Sequence, residues 1–294
     1  MNLLRGATLT VTDLDATVAR FTTWLDYAIA EQGTLPAELA DAWGTPASAG
    51  RRYAICRPAS GADVFLRFVE GDPVPDYRPI RTYGWAAIEI CVQDVMAVNE
   101  RMLQSPFEVI GPPTKIAGIP TIHPMQVRGP DQETVYLTEI TTDDPDSGLP
   151  RPGSLIDKLF ILVLACPDMR ATTAWFAENL RLAVTDPMAI RYTMIAKAFD
   201  LPMTDLHEIV TANWQGDVFL EFDQYPAAAT ERPCHPGALP PGVAICSIFH
   251  PDFDALDVAW FSPPVVRDGP LYGGKRCGVL KTPEGALLEV IEAA

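Results

Sequence analysis

The sequence predicts an α+β protein assembled from four copies of one β-α-β-β-β module. Three observations carry this. An apolar β-type run stands four times just ahead of a helix-like stretch, and three of those helices open at an aspartate suited to cap them. The second half of the chain repeats the first at a nearly constant offset. A stretch rich in Pro, Gly, Asp and Ser, residues 141–154 (TTDDPDSGLPRPGS), separates the halves.

In the first module, residues 8–11 form the opening strand. Asp13 caps a helix whose Val18, Phe21, Leu25 and Ala28 keep helical spacing. Residues 53–56 and 64–69 are further strands. The second module opens with 87–92, is capped at Asp94 and continues with strands at 125–127 and 135–140. The third opens with 160–165, carries a helix from Asp168 through Phe176 and Leu180, and continues with 208–211 and 218–222. The fourth opens with 244–249, then a short helix near 254–260, then strands at 278–281 and 286–291. Residues 188–202 form an apolar, Met-containing stripe at helical spacing, suited to core packing, to a homodimer interface or to a lid over the C-terminal half.

The repeats fix the larger organisation. Asp63-Val64-Phe65-Leu66-Arg67-Phe68 returns as Asp217-Val218-Phe219-Leu220-Glu221-Phe222, an offset of 154. Ala40-x-Ala42-Trp43-x-x-Pro46 returns as Ala196-x-Ala198-Phe199-x-x-Pro202, an offset of 156. Asp13-Leu14 with Phe21 returns as Asp168-Met169 with Phe176, and Pro130 to Tyr136 returns as Pro283 to Glu289. The expected layout is a domain over 1–142, a linker over 143–153 and a second copy over 154–294. A length of 294 residues agrees with two domains of about 150 residues.

Composition narrows the function. With 22 Lys and Arg against 38 Asp and Glu, the net charge is -16, which argues against nucleic acid and anionic membrane surfaces as partners. The longest apolar run, 159–166, is too short to span a bilayer. The first residues (Met-Asn-Leu-Leu-Arg-Gly) lack a signal-peptide apolar core, and six cysteines are scattered without a Cys-x-x-Cys pair. The expectation is a cytoplasmic protein with reduced, mostly core cysteines.

Two motifs carry a resemblance. Leu9-Thr-Val-Thr-Asp-Leu14 is a strand that ends in Val-x-Asp-Leu before a helix. Pro283-Glu-Gly-Ala-Leu-Leu-Glu-Val-Ile-Glu292 is a closing strand of the form Pro-x-Gly-x-x-Leu-Glu-Val-x-Glu. With the module layout, they make the chain resemble the vicinal oxygen chelate superfamily of glyoxalase I, methylmalonyl-CoA epimerase, bleomycin resistance proteins and extradiol dioxygenases. The resemblance spans nearly the whole chain. It implies two tandem domains, each a pair of modules curled into an open cup of mixed sheet around a small-molecule site.

The resemblance also implies where a metal is held in members that use one: by side chains on first and closing strands. Aligned on the capping aspartates, the first-strand positions are Gly6, Ala87, Ile161 and Ile245, which offer no ligand. The closing-strand positions are Arg67, Tyr136, Glu221 and Glu289. Two carboxylates without an imidazole do not suit Fe(II), Zn(II) or Ni(II). The expectation is no metal and no cofactor, with a weakly held Mg(II) or Mn(II) at Glu221 and Glu289 left open.

Glu289 lies among apolar neighbours and shares a strand face with Leu287; Glu221 shares one with Phe219. A carboxylate so placed needs a partner, a proton or a job. If both converge on one C-terminal cavity, their repulsion raises one pKa and equips them as acid and base. Phe219, Leu287 and His207 are then expected substrate contacts, with Tyr136 and Arg67 the matching groups of the N-terminal half. The expected function is a metal-independent lyase, isomerase or hydro-lyase acting on a carbonyl or aromatic-derived small molecule. Two alternatives stand beside it: a non-catalytic binding or resistance protein, and a metal-dependent glyoxalase-like or dioxygenase-like enzyme with unusual ligands.

Overall fold

The computed structural model describes residues 2–142 and 144–293. The first module comprises β1 (Leu4–Val11), α1 (Leu14–Trp24), β2 (Tyr27–Thr34), α2 (Ala37–Ala42), β3 (Arg52–Pro58) and β4 (Phe65–Glu70). The second comprises β5 (Gly84–Val92), α3 (Val95–Met102), β6 (Glu108–Gly111), β7 (Ile122–Arg128) and β8 (Thr134–Ile140). The third has β9 (Ile156–Cys166), α4 (Met169–Leu180), β10 (Ala183–Val184), β11 (Met188–Ile190), α5 (Thr193–Ala198), β12 (His207–Trp214) and β13 (Asp217–Gln224). The fourth has β14 (Gly242–His250), β15 (Ser262–Arg267), β16 (Lys275–Lys281) and β17 (Leu287–Glu292).

Local chemistry sets the helix starts. Asp13 accepts from the Ala16 amide at 2.9 Å, Asp94 from Met96 and Ala97 at 3.0 Å, and Asp168 from Ala171 at 3.0 Å. The fourth module departs from expectation. Asp252 makes no side-chain cap, and only a single 3-10 turn, Phe253–Ala255, follows it. Trp260 instead packs on Phe253 with ring centroids 5.7 Å apart and covers Gly278, so the expected helix over 254–260 gives way to extended chain.

The sheets pair the modules across the chain. One sheet runs β15-β16-β17-β14-β1-β4-β3-β2 and joins modules one and four. The other runs β10-β12-β13-β9-β5-β8-β7-β6, with β11 on β12, and joins modules two and three. The seams are antiparallel: β1 on β14 and β5 on β9. Residues 1–142 and 154–294 therefore do not each close a cup of their own; every cup takes one module from each half. The repeat could not reveal this, because all four modules carry the same in–out pattern. The linker permits it: β8 is parallel to β5 and β5 antiparallel to β9, so the end of β8 and the start of β9 share one sheet edge.

Strand alternation divides the apolar residues among three clusters. Leu9, Leu66, Ile88, Leu137, Leu162, Phe222, Ile248 and Val290 join Phe21, Val98 and Phe176 of the helices in one core between the two sheets. The opposite sheet faces each hold a separate cluster, and these faces form the two cups. Trp85 ties the sheets together by donating to the Leu287 carbonyl at 2.8 Å. All six cysteines are free; five are buried and Cys234 is exposed. No helix among the described residues is long and apolar enough to cross a membrane.

Candidate functional site

Register places four side chains at the floor of each cup. In the cup of modules one and four, Thr8 of β1 lies beside Arg67 of β4, and Ser247 of β14 beside Glu289 of β17. In the cup of modules two and three, Glu89 of β5 lies beside Tyr136 of β8, and Val163 of β9 beside Glu221 of β13. The first-strand residues of these quartets stand five positions before Asp13, Asp94, Asp168 and Asp252. The positions expected from the sequence, Gly6, Ala87, Ile161 and Ile245, stand two residues too far back.

The first cup is filled by its own side chains. Glu289 is sealed from solvent, and its carboxylate meets the Arg67 guanidinium at 3.0 Å. It also accepts from Trp43 Nε1 at 2.8 Å, Ser247 Oγ at 2.6 Å and Tyr272 Oη at 2.7 Å. Arg67, equally buried, donates to Thr8 Oγ1 at 2.8 Å and to Tyr272 Oη at 2.6 Å, and stacks 4.5 Å from the Trp43 ring. Burial opposes the charge of Glu289, but the guanidinium and three donors outweigh it and hold the carboxyl below its ordinary range. A carboxylate so saturated has no lone pair free for a substrate proton. Glu289, Arg67 and the neighbouring Leu287, which packs in the same sealed cluster, are thus structural, contrary to expectation.

Glu221 does not face Glu289; the two lie in different sheets. In the second cup Glu221 meets two other acids. Glu89 accepts from Thr138 Oγ1, and burial together with the nearby Glu221 raises its carboxyl to about 8. Asp223, two residues on and on the same strand face, shares a hydrogen bond with Glu221. Burial and the Glu221 charge push Asp223 well above the usual carboxylate range, so the two carboxyls share a proton as a pair. Burial raises Glu221 too. Among the described residues, no cation forms an ion pair with any of the three. Glu221 is enclosed by protein yet remains partly exposed to solvent.

Two phenols complete the cluster. Tyr192 Oη lies 2.9 Å from Tyr136 Oη and 3.2 Å from Glu221 Oε1. Tyr192 immediately precedes α5, which covers this cup with Met194, Ile195 and, at its end, Phe199. The stretch 188–202 thus supplies core packing, in a cup that modules two and three share. His207 opens β12; its Nε2 is buried without a hydrogen-bond partner, and burial lowers its pKa, favouring the neutral ring. Phe219 is not in the cup. A bulge leaves Val218 opposite Asn213 and Leu220 opposite Ala212, and the skipped Phe219 packs into the core between the sheets.

Of the expected residues, then, Tyr136, Glu221 and His207 belong to the second cup's modules, while Arg67, Leu287 and Glu289 close the first. Sequence reasoning missed Glu89, Asp223 and Tyr192. Two signals were present: Glu89 stands five before its capping aspartate, and Asp223 two after Glu221 on the same face.

The donor set of the second cup is two carboxylates, a phenol and a valine at the four floor positions. It holds no imidazole, and among the described residues no three His, Cys, Asp or Glu side chains gather with metal-binding geometry. These residues do not fit a tightly held Zn(II), Fe(II) or Ni(II) ion.

Two sheets of paired β-α-β-β-β modules, each with its four-residue floor, make up a fold that solved structures share over the whole chain. The chain is similar to glyoxalase I from Zea mays (15% identity, TM-score 0.64, covering 99% of this chain and 92% of that one). It is also similar to a "putative dioxygenase" from Bacillus subtilis subsp. subtilis str. 168 (14% identity, TM-score 0.60, covering 99% and 85%). At such identities the likeness is one of fold. No model of a protein family matches the chain, and neither does any curated protein.

Proposed function

We propose that the protein is a small-molecule enzyme whose working site is the second cup, and that it moves protons with carboxylates and without a metal. The observation that supports this is the uncompensated acid cluster of Glu89, Glu221 and Asp223. Carboxylates enclosed without a cation are costly, and three of them within mutual reach weaken a fold unless they serve its chemistry. The first cup provides the contrast: there the equivalent acid is neutralised by Arg67.

The geometry suits proton transfer at carbon beside a carbonyl. Glu221, paired with Asp223, is the base and removes the proton. Glu89, neutral near pH 7 because its pKa is raised to about 8, is the acid that returns a proton on the other side. The phenols of Tyr136 and Tyr192 donate hydrogen bonds to the oxygen on which charge develops. Asp223 is a positioning residue that acts through Glu221. Isomerisation and the loss or addition of water are the reactions this arrangement supports. A cytoplasmic setting is part of the reading, supported by the free cysteines.

The test is deuterium exchange at carbon. The native protein and its Glu89→Gln and Glu221→Gln variants are incubated in D2O with a panel of small 2-oxo acids and hydroxyketones, and deuterium uptake is read by NMR. Uptake from at least one compound is expected with the native chain and a loss of about a hundredfold or more in each variant. No uptake by the native chain, or uptake retained by both variants, overturns the proposal.

A further inference from the structure

Beside α5, at the second cup, lies a cavity of about 440 Å³, a size that suits a small molecule. Its wall includes Arg78, Arg81, Arg128 and Lys197, with Glu108 the only acid, a local excess of three positive charges in a chain of net charge -16. Among the described residues, only Arg128 of these is neutralised, by Glu108 at 2.6 Å. Arg78 donates to the carbonyls of Pro75 and Tyr77, Lys197 donates to that of Ile110 at 2.9 Å, and Arg81 stacks 5.3 Å from the Phe199 ring. Neutral partners leave those charges uncancelled.

A second observation points to a ligand. Thr134 lines the same cavity, is 1% exposed, and its Oγ1 has no hydrogen-bond partner. It lies two residues before Tyr136 on one strand, so both face the cup. Ile80, Ile110 and Met194 give the wall an apolar part.

We infer that this cavity binds an organic anion, with Arg78, Arg81 and Lys197 holding a carboxylate or phosphate and the apolar wall holding an attached ring or chain. The inference gives the second cup's ligand a charge. It rests on the reading of that cup only for where the ligand's far end lies.

Calorimetric titration of the full chain tests it, with phenyl phosphate, benzoate, inorganic phosphate and uncharged phenol as probes. Saturable binding of phenyl phosphate or benzoate, one per chain, is expected, with the two probes deciding between phosphate and carboxylate; phenol is expected not to bind. The double variant Arg81→Gln/Lys197→Gln should lose about tenfold or more in affinity, since charge-assisted hydrogen bonds are lost. Arg170→Gln, on the exposed first turn of α4, should lose nothing. Circular dichroism and melting temperature check that each variant folds. The inference is overturned if neither anion binds, if phenol binds as well as phenyl phosphate, or if the double variant binds as tightly as the native chain. Neither Glu89 nor Glu221 lines this cavity, so an absence of proton exchange in the native chain overturns the reading of the second cup and leaves anion binding to be judged separately.

Discussion

Replacing Glu289 by Gln keeps the shape of the first cup's floor and deletes one charge. Arg67 and Glu289 are 1% and 0% exposed and meet at 3.0 Å. The variant therefore leaves a guanidinium sealed from water with the hydroxyls of Thr8 and Tyr272, the Trp43 ring and a neutral amide for company, and no opposite charge. Breaking such a buried pair from one side costs about 3–5 kcal/mol. With a urea dependence of about 3 kcal/mol per molar, the unfolding midpoint should fall by about 1–2 M. Arg67→Met combined with Glu289→Gln removes both charges and should recover part of that loss, because no unpaired ion remains. Urea unfolding of the native chain, the two single variants Glu289→Gln and Arg67→Met, and the double variant, followed by circular dichroism, gives the coupling energy directly. A Glu289→Gln midpoint within about 0.3 M of native, joined to loss of turnover, would refute the assignment of this acid to structure and return it to chemistry.

Two further predictions concern the other residues. Glu89 is raised to about 8 in the folded state from an ordinary value near 4.5, so its contribution to stability is full below pH 4.5 and is lost as pH rises through 8. Glu89→Gln should accordingly gain stability over native at pH 8 and little at pH 5, measured by melting temperature; a difference independent of pH would contradict the raised pKa. Phe219→Ala should cost about 3–5 kcal/mol through the cavity it opens between the sheets. Its KM in any reaction found for the protein should stay native, whereas a raised KM would return Phe219 to the cup.

Much of the fold is legible because it is written in local chemistry. The caps at Asp13, Asp94 and Asp168 and the buried inner strands follow from residues a few positions apart. The sheet edges are not: β2 exposes six of its eight residues, so it shows no alternation against a polar background. The cup floor depends on register, and a two-residue error hid Glu89 behind Ala87. Phe219 misled for a related reason, since a bulge changes which face a side chain takes without changing the sequence pattern. The pairing of modules is the least local property of all. It decides which acids meet, and so Glu221 was matched with Glu289 rather than with Glu89.

That pairing has a consequence for how the protein came to be specialised. If the chain were cut between its halves, each piece would hold one module of either sheet, and the two would embrace as the subunits of a symmetric dimer do. In a dimer of identical chains, any substitution appears in both concavities at once. Joining the copies covalently lifts that constraint. One concavity is then free to acquire an arginine and become a rigid brace, while its twin keeps its acids unneutralised.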